Sequence, residues 1–188
     1  MPTKSAGQQL PDTTSLHKEH GPTTVSFAAA IVSTTRFAEM QKGKLLTDQT
    51  FPVIENALQS YPGYVLKDRI VLPDDRPAIQ KFLLEQVAAP NHVDAIILSG
   101  GTGISAKDQT VESCRTLFHK EITGFGELFR YLSYQQIGTA AMISRAAAGT
   151  IKSLIVFCLP GSPRAVQLGM EKLILPEISH MCYEMRKE

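Results

Sequence analysis

Apolar residues along this chain gather in two kinds of run that alternate. Short blocks of small and branched side chains, VSFAAAIVS (25–33), GYVLKDRIVL (63–72), VDAIILS (93–99) and SLIVFCL (153–159), have the length and composition of buried strands. Between them, QTFPVIENALQS (49–60) sets Val53, Ile54, Ala57 and Leu58 at helical spacing. DDRPAIQKFLLEQVAA (74–89) predicts a second amphipathic helix, with Asp74 and Asp75 where carboxylates favour an N-terminus and Pro77 in the first turn. Further helices are expected over TVESCRTLF (110–118), GFGELFRYLSY (124–134) and AAMISRAAAG (140–149), and two more after PGSPRA and PEISH, while TTRFAEMQKGKLLTD (34–48) reads as a loop. Strands alternating with helices imply parallel pairing through right-handed crossovers, and hence one α/β domain with helices on both faces of the sheet.

Composition narrows the function classes. The 188 residues are 43% hydrophobic and 20% charged, enough to bury a core without disulfides. Nineteen basic residues against eighteen acidic leave a formal net charge of +1, so no chain-wide field argues for nucleic acid or an anionic membrane as partner. Any anion site must therefore be local. Cys114, Cys158 and Cys182 lack metal-ligand or redox spacing and are read as packing residues in a reducing, cytoplasmic setting. No apolar run reaches the length of a membrane span. Residues 1–24 are rich in Thr, Pro, Gln and charge and are read as a flexible arm ahead of a domain over 25–188; its His17 and His20 belong to a solvated polar run rather than a metal site.

The chemistry is expected where strands end. In an open α/β sheet ligands collect at the carboxyl ends of the strands, where helix N-termini point their amides outward. The third strand ends in SGGTGIS, whose Gly100, Gly101 and Gly103 suit either a backbone cradle for an anion or a plain turn. Gly101, Gly103 and Ala106 also fit the dinucleotide fingerprint, the basis of a third reading as an NAD-linked oxidoreductase, but Lys107 and Asp108 intervene before the helix. Two other strands deliver LPDD and PGSP to the same edge. Carboxylates beside anion-binding amides call for a divalent cation between them, so a magnesium-phosphate site is expected; alternatively Asp74, Asp108 and Thr110 cap helices. Ser144 and Arg145 in SRAAAG stand where a helix start would hold a phosphate. Phe125, Phe129, Tyr131 and Tyr134 are interface or core residues, with core the default.

Taken together, GGTGISAKDQTVES, GFGELFRYLS, IGTAAMISRAAAG and LPGSPRA, in this order over about 25–180, resemble the MoaB/MogA family of molybdenum-cofactor biosynthesis proteins, and its MoaB branch most. The resemblance implies a three-layer α/β/α fold binding molybdopterin, a pterin with a dithiolene and a terminal phosphate. Active members transfer AMP from Mg-ATP to that phosphate and release pyrophosphate; the alternative within the family is a molybdopterin-binding carrier or scaffold without turnover. By motif, Asp74 and Asp108 take the catalytic positions and are the candidate Mg2+ ligands, with Asp48 a third. Gly100, Gly101, Thr102, Gly103 and Thr110 are placed on phosphate or pterin, Glu112 and Ser133 at the pocket wall, and Ser144, Arg145, Pro160, Gly161 and Ser162 toward the pterin end. The chain departs from many relatives at Thr34 and Thr35, where a Ser-Asp pair is usual, and at Thr50, which replaces glycine. A homotrimer or hexamer, contacts with other proteins of the pathway, and ATP and molybdopterin as substrates complete what the resemblance implies.

Overall fold

A computed structural model describes residues 20–45, 47–90 and 93–187. Strand β1 (Val25–Val32) is buried along its whole length, and its alternating side chains feed two cores. Phe27, Ala29 and Ile31 face one, with Ile97 and Phe157; Ala28, Ala30 and Val32 face the other, with Ile96, Leu98 and Val156. The remaining strands are β2 (Tyr64–Leu72), β3 (Ala95–Ser99), β4 (Lys120–Glu121), β5 (Ala147–Ile151) and β6 (Leu154–Leu159), in the order β2-β1-β3-β6-β5-β4. The four strands from β2 to β6 run parallel, and β5 and β4 close one edge antiparallel.

Helices α1 (Thr34–Gln41), α2 (Thr50–Leu58), α3 (Arg76–Ala88), α4 (Thr110–Arg115), α5 (Thr123–Ile137), α6 (Pro163–Gly169) and α7 (Leu175–Arg186) connect them. α2 and α5 to α7 cover the first core, and α3 and α4 the second, which gives the expected three layers. A π-helical turn, Met170–Ile174, joins α6 to α7 just ahead of Pro176, whose missing N–H breaks the regular hydrogen-bond register.

Three expectations are corrected. Residues 34–41 form α1 rather than loop: Ser33 caps it, its side chain accepting from Arg36 N at 3.4 Å, but no α1 residue is fully buried, so no apolar stripe marks it. AAMISRAAAG is not a helix. A short 3-10 segment, Gly138–Ile143, leads into β5, which pairs with β6 through a two-residue turn at Lys152 and Ser153, with Lys152 at φ 51°. Finally, Phe125 and Phe129 are core as expected, but Tyr131 and Tyr134 are 61% and 58% exposed.

The expected arm lies outside the described residues as far as residue 19. Just beyond it, Pro22 O accepts a hydrogen bond from Ser179 Oγ on α7 at 2.9 Å, so 20–24 lie against the domain. All three cysteines are free and buried. Burial pushes the Cys182 thiol up to about 11, and contact with Cys158 together with burial raises Cys114 well above the ordinary thiol range, as packing residues require.

Candidate functional site

Strand register builds the site. Ile31 pairs with Ser99, and Ser99 with Leu159, so β1, β3 and β6 end in one row, with β1 between β2 and β3, where the strand order reverses. Gly100 follows that row, donating its N–H to Leu159 O at 3.0 Å. It sits at φ +110°, with Val32 O where a Cβ would stand. Gly101, at φ +62°, meets the Asp74 carboxylate and Thr110 Oγ1 in the same way. The two glycines thus let three strand ends close on one another.

The result is a cleft of about 470 Å³ whose floor is the Gly100–Gly103 loop and the Pro160–Ser162 turn. Asp108, Ser133 and Ser144 line it, and Phe129, Ile137, Ala140, Ile143 and Ala165 form an apolar wall. The wall residues were not anticipated. Ile137 and Ile143, 58% and 55% exposed on either side of Gly138, were the available signal, since large side chains left in solvent beside a chain reversal mark a surface awaiting a ligand or partner. Ser144 Oγ is buried without a hydrogen-bond partner, a donor left for whatever enters.

The other predicted residues stand behind this surface. Asp74 takes no part in the lining: its Oδ1 accepts Gln109 N at 2.9 Å, at the start of α4, while its own N–H is held by Thr34 Oγ1 at 3.1 Å. Asp75, not Asp74, caps α3, accepting from Ala78 N at 2.9 Å. Thr110 is fully buried beneath Gly101, and its Oγ1 has no partner. Glu112 and Arg145 form a two-pronged ion pair, with Arg145 Nη2 to Glu112 Oε2 at 3.1 Å, and Arg145 Nε donates to Thr102 O at 3.3 Å. Arg145 is therefore a strut between the glycine loop, α4 and the start of β5. No helix begins at Ser144, whose backbone is extended, so the expected helix-end phosphate contact is absent there. Asp48 is also apart from the cleft: it pairs with Arg36 at 2.8 Å and accepts Thr50 N at 2.7 Å.

Electrostatics divides the acids. The Arg145 guanidinium holds Glu112 below the usual carboxylate range. Burial pushes Asp74 up, against the Gln109 N–H, and the negative charges of Asp108, Asp75 and Glu112 push it further. A carboxyl that binds its proton more tightly folded than unfolded weakens the fold as pH rises from its ordinary value of 3.8 through its raised one. Asp74→Asn is therefore expected to melt at or above the wild-type temperature near about pH 7, with the gain shrinking toward about pH 4; thermal denaturation at several pH values checks this, and a lower melting temperature throughout would contradict it.

The donor set fits a magnesium ion held mostly by substrate oxygens. Asp108 brings one carboxylate into the cleft, its Oδ2 engaged by Ser105 N at 2.8 Å, and among the described residues no three His, Cys, Asp or Glu side chains form a protein-only metal cage. Also among the described residues, no helix is long and apolar enough to cross a membrane.

A glycine-floored cleft at the switch point of a mostly parallel sheet, with a carboxylate at one side and an apolar wall at the other, lies where α/β proteins of this architecture bind their ligands. The family follows from the comparisons: the model of the probable molybdopterin binding domain matches residues 29–180, and the chain belongs to the MoaB/MogA family of molybdenum-cofactor biosynthesis proteins. It is 42% identical over 166 residues to molybdenum cofactor biosynthesis protein B of Staphylococcus epidermidis, spanning 87% of this chain and 90% of that one. The protein of the same name from Bacillus subtilis is 41% identical over 174 residues, 92% and 96% of the two chains. A crystal structure of a molybdenum cofactor biosynthesis protein B superposes with a TM-score of 0.78 at 38% identity, covering 88% of this chain and 98% of the other. The tungsten cofactor synthesizing protein MoaB from Pyrococcus furiosus gives 0.75 at 35%, covering 88% and 99%.

Proposed function

We propose that this protein binds molybdopterin in the glycine-floored cleft and transfers AMP to its terminal phosphate from Mg-ATP. The observation that carries the reading is the make-up of the cleft: a glycine-rich floor at Gly100–Gly103, one carboxylate at Asp108, and an apolar wall from Phe129 to Ile143. A pterin suits the wall and a phosphate suits the loop. The pterin phosphate is itself the nucleophile, so the chain need supply no covalent intermediate; its task is to hold two polyanions in line and offset their repulsion. Magnesium, when bound, supplies the charge that neutralises the phosphates. Asp108 orients that charge, and the unpartnered Ser144 hydroxyl is a donor to the pterin side. Asp74, Glu112 and Arg145 act as positioning residues, since each reaches the loop or α4 rather than the cleft.

The trimer or hexamer implied by the family belongs to this reading, and the exposed Tyr131 and Tyr134 on α5 are the apolar surface it would bury. The test is paired: quenching of pterin fluorescence on titration with protein, and pyrophosphate release on addition of ATP and magnesium. Saturable quenching with pyrophosphate release that requires molybdopterin is the expected result. Quenching without release would leave the molybdopterin-binding carrier as the function; absence of both would remove the cleft assignment.

A further inference from the structure

A second groove, of about 490 Å³, lies at the opposite end of β6. Four residues of extended chain, 156–159, separate Ile155 on its floor from Pro160 in the cleft, about 17 Å over five steps of the strand, so the two openings are independent. Ile122, Ile155, Met181 and Met185 line the floor. The two methionines stand four residues apart on α7 and so share a face, offering a deformable apolar strip.

The rim is basic. Lys120 lies on β4, Lys152 in the β5–β6 turn and Lys187 at the end of α7, with the exposed imidazole of His119 beside them. Among the described residues Lys120 and Lys152 meet no carboxylate. Lys187 lies 3.9 Å from Glu184, the single acid of the rim, which His180 also approaches at 3.9 Å. The neighbouring Glu121 is already taken by Arg115 at 2.6 Å. In a chain of net charge +1, unpaired lysines gathered round an apolar floor are a local asymmetry. His119 Nδ1 accepts Lys152 N at 3.1 Å, which ties the turn to the strand beside it and fixes one side of the rim.

Charge complementarity and an adaptable floor select one occupant. We propose that this groove docks an acidic amphipathic segment of another protein, its apolar side chains on Met181 and Met185 and its carboxylates on Lys120 and Lys152. A short inorganic anion would leave the methionine strip unused, and a purely apolar segment would leave two ammonium groups unanswered.

The experiment titrates the full chain into a labelled peptide of about twelve residues, with Leu and Phe at helical spacing among Glu and Asp, and follows anisotropy. Saturable binding is expected, weakening with salt and falling at least about tenfold in the double variant Lys120→Glu/Lys152→Glu. Both side chains are exposed, so the variant keeps its fold, which circular dichroism verifies. Met185→Ser reads the floor separately and is expected to weaken binding without altering its salt dependence. No saturable binding, or binding indifferent to the charge reversal, would overturn the proposal. So would displacement of the peptide by equimolar pyrophosphate, which would make the groove a small-anion site. A change of molecular mass by light scattering in the double variant would overturn it as well, by showing that the groove is filled by a second copy.

Discussion

Gly100→Ala is expected to destabilise the protein by about 3 kcal/mol or more, the largest stability effect of any single methyl group added to the site. Two costs combine at this position. The residue sits at φ +110°, which L side chains rarely adopt, and the added Cβ would meet the carbonyl of Val32, a backbone atom fixed at the carboxyl end of β1. A rotamer change cannot relieve the clash, because β1 is held on both sides. Urea denaturation should show a midpoint lowered by about 1–2 M at unchanged slope. Gly43→Ala is the control: φ is +74°, but nothing lies within 4 Å of the new atom, so only the backbone cost of about 1 kcal/mol remains. Equal losses at the two positions would show that the row of strand ends is looser than described.

Asp108→Asn is expected to lower turnover by about 10²–10³-fold while leaving the fold intact. Asp108 has two tasks that the variant separates. Its Oδ2 accepts Ser105 N at 2.8 Å and so shapes the loop beyond Gly103; an amide oxygen can do the same. Its charge faces the cleft, where it would align a cation, and an amide cannot replace that. Asp108→Ala should lose the turn as well, adding a fall in melting temperature that the asparagine variant does not show. Steady-state kinetics beside thermal denaturation decides the point: equal turnover in wild type and Asp108→Asn would remove the residue from the chemistry.

How far the sequence went depended on the range of the interaction concerned. β1, β3 and β6 were legible because both of their faces are buried, which leaves unbroken apolar blocks of strand length. α1 was not, since its only local mark was the capping serine and no fully buried side chain imposed a period. The alanine run before Gly149 reads as helix by propensity, but pairing with β6 across a two-residue turn overrides it, as tertiary contacts do when propensity is worth only tenths of a kcal/mol per residue. In the site, the glycine loop, Asp108 and the PGSP turn were legible because their places follow from strand ends alone. The separation of Asp74, Thr110, Glu112 and Arg145 from the cleft was not, because it rests on contacts such as Arg145 to Glu112, 33 residues apart. Motif proximity grouped these side chains with the cleft, and the three-dimensional path of the chain places them outside its lining.

We propose that the cleft both holds molybdopterin and is where it is adenylylated. The most direct measurement is mass spectrometry of the pterin after purified protein is mixed with molybdopterin, ATP and magnesium, with Asp108→Asn run in parallel. Adenylylated molybdopterin from the wild type, and little or none from the variant, is expected. Molybdopterin recovered unmodified from a wild-type protein that demonstrably binds it would rule out the transfer and leave a binding protein.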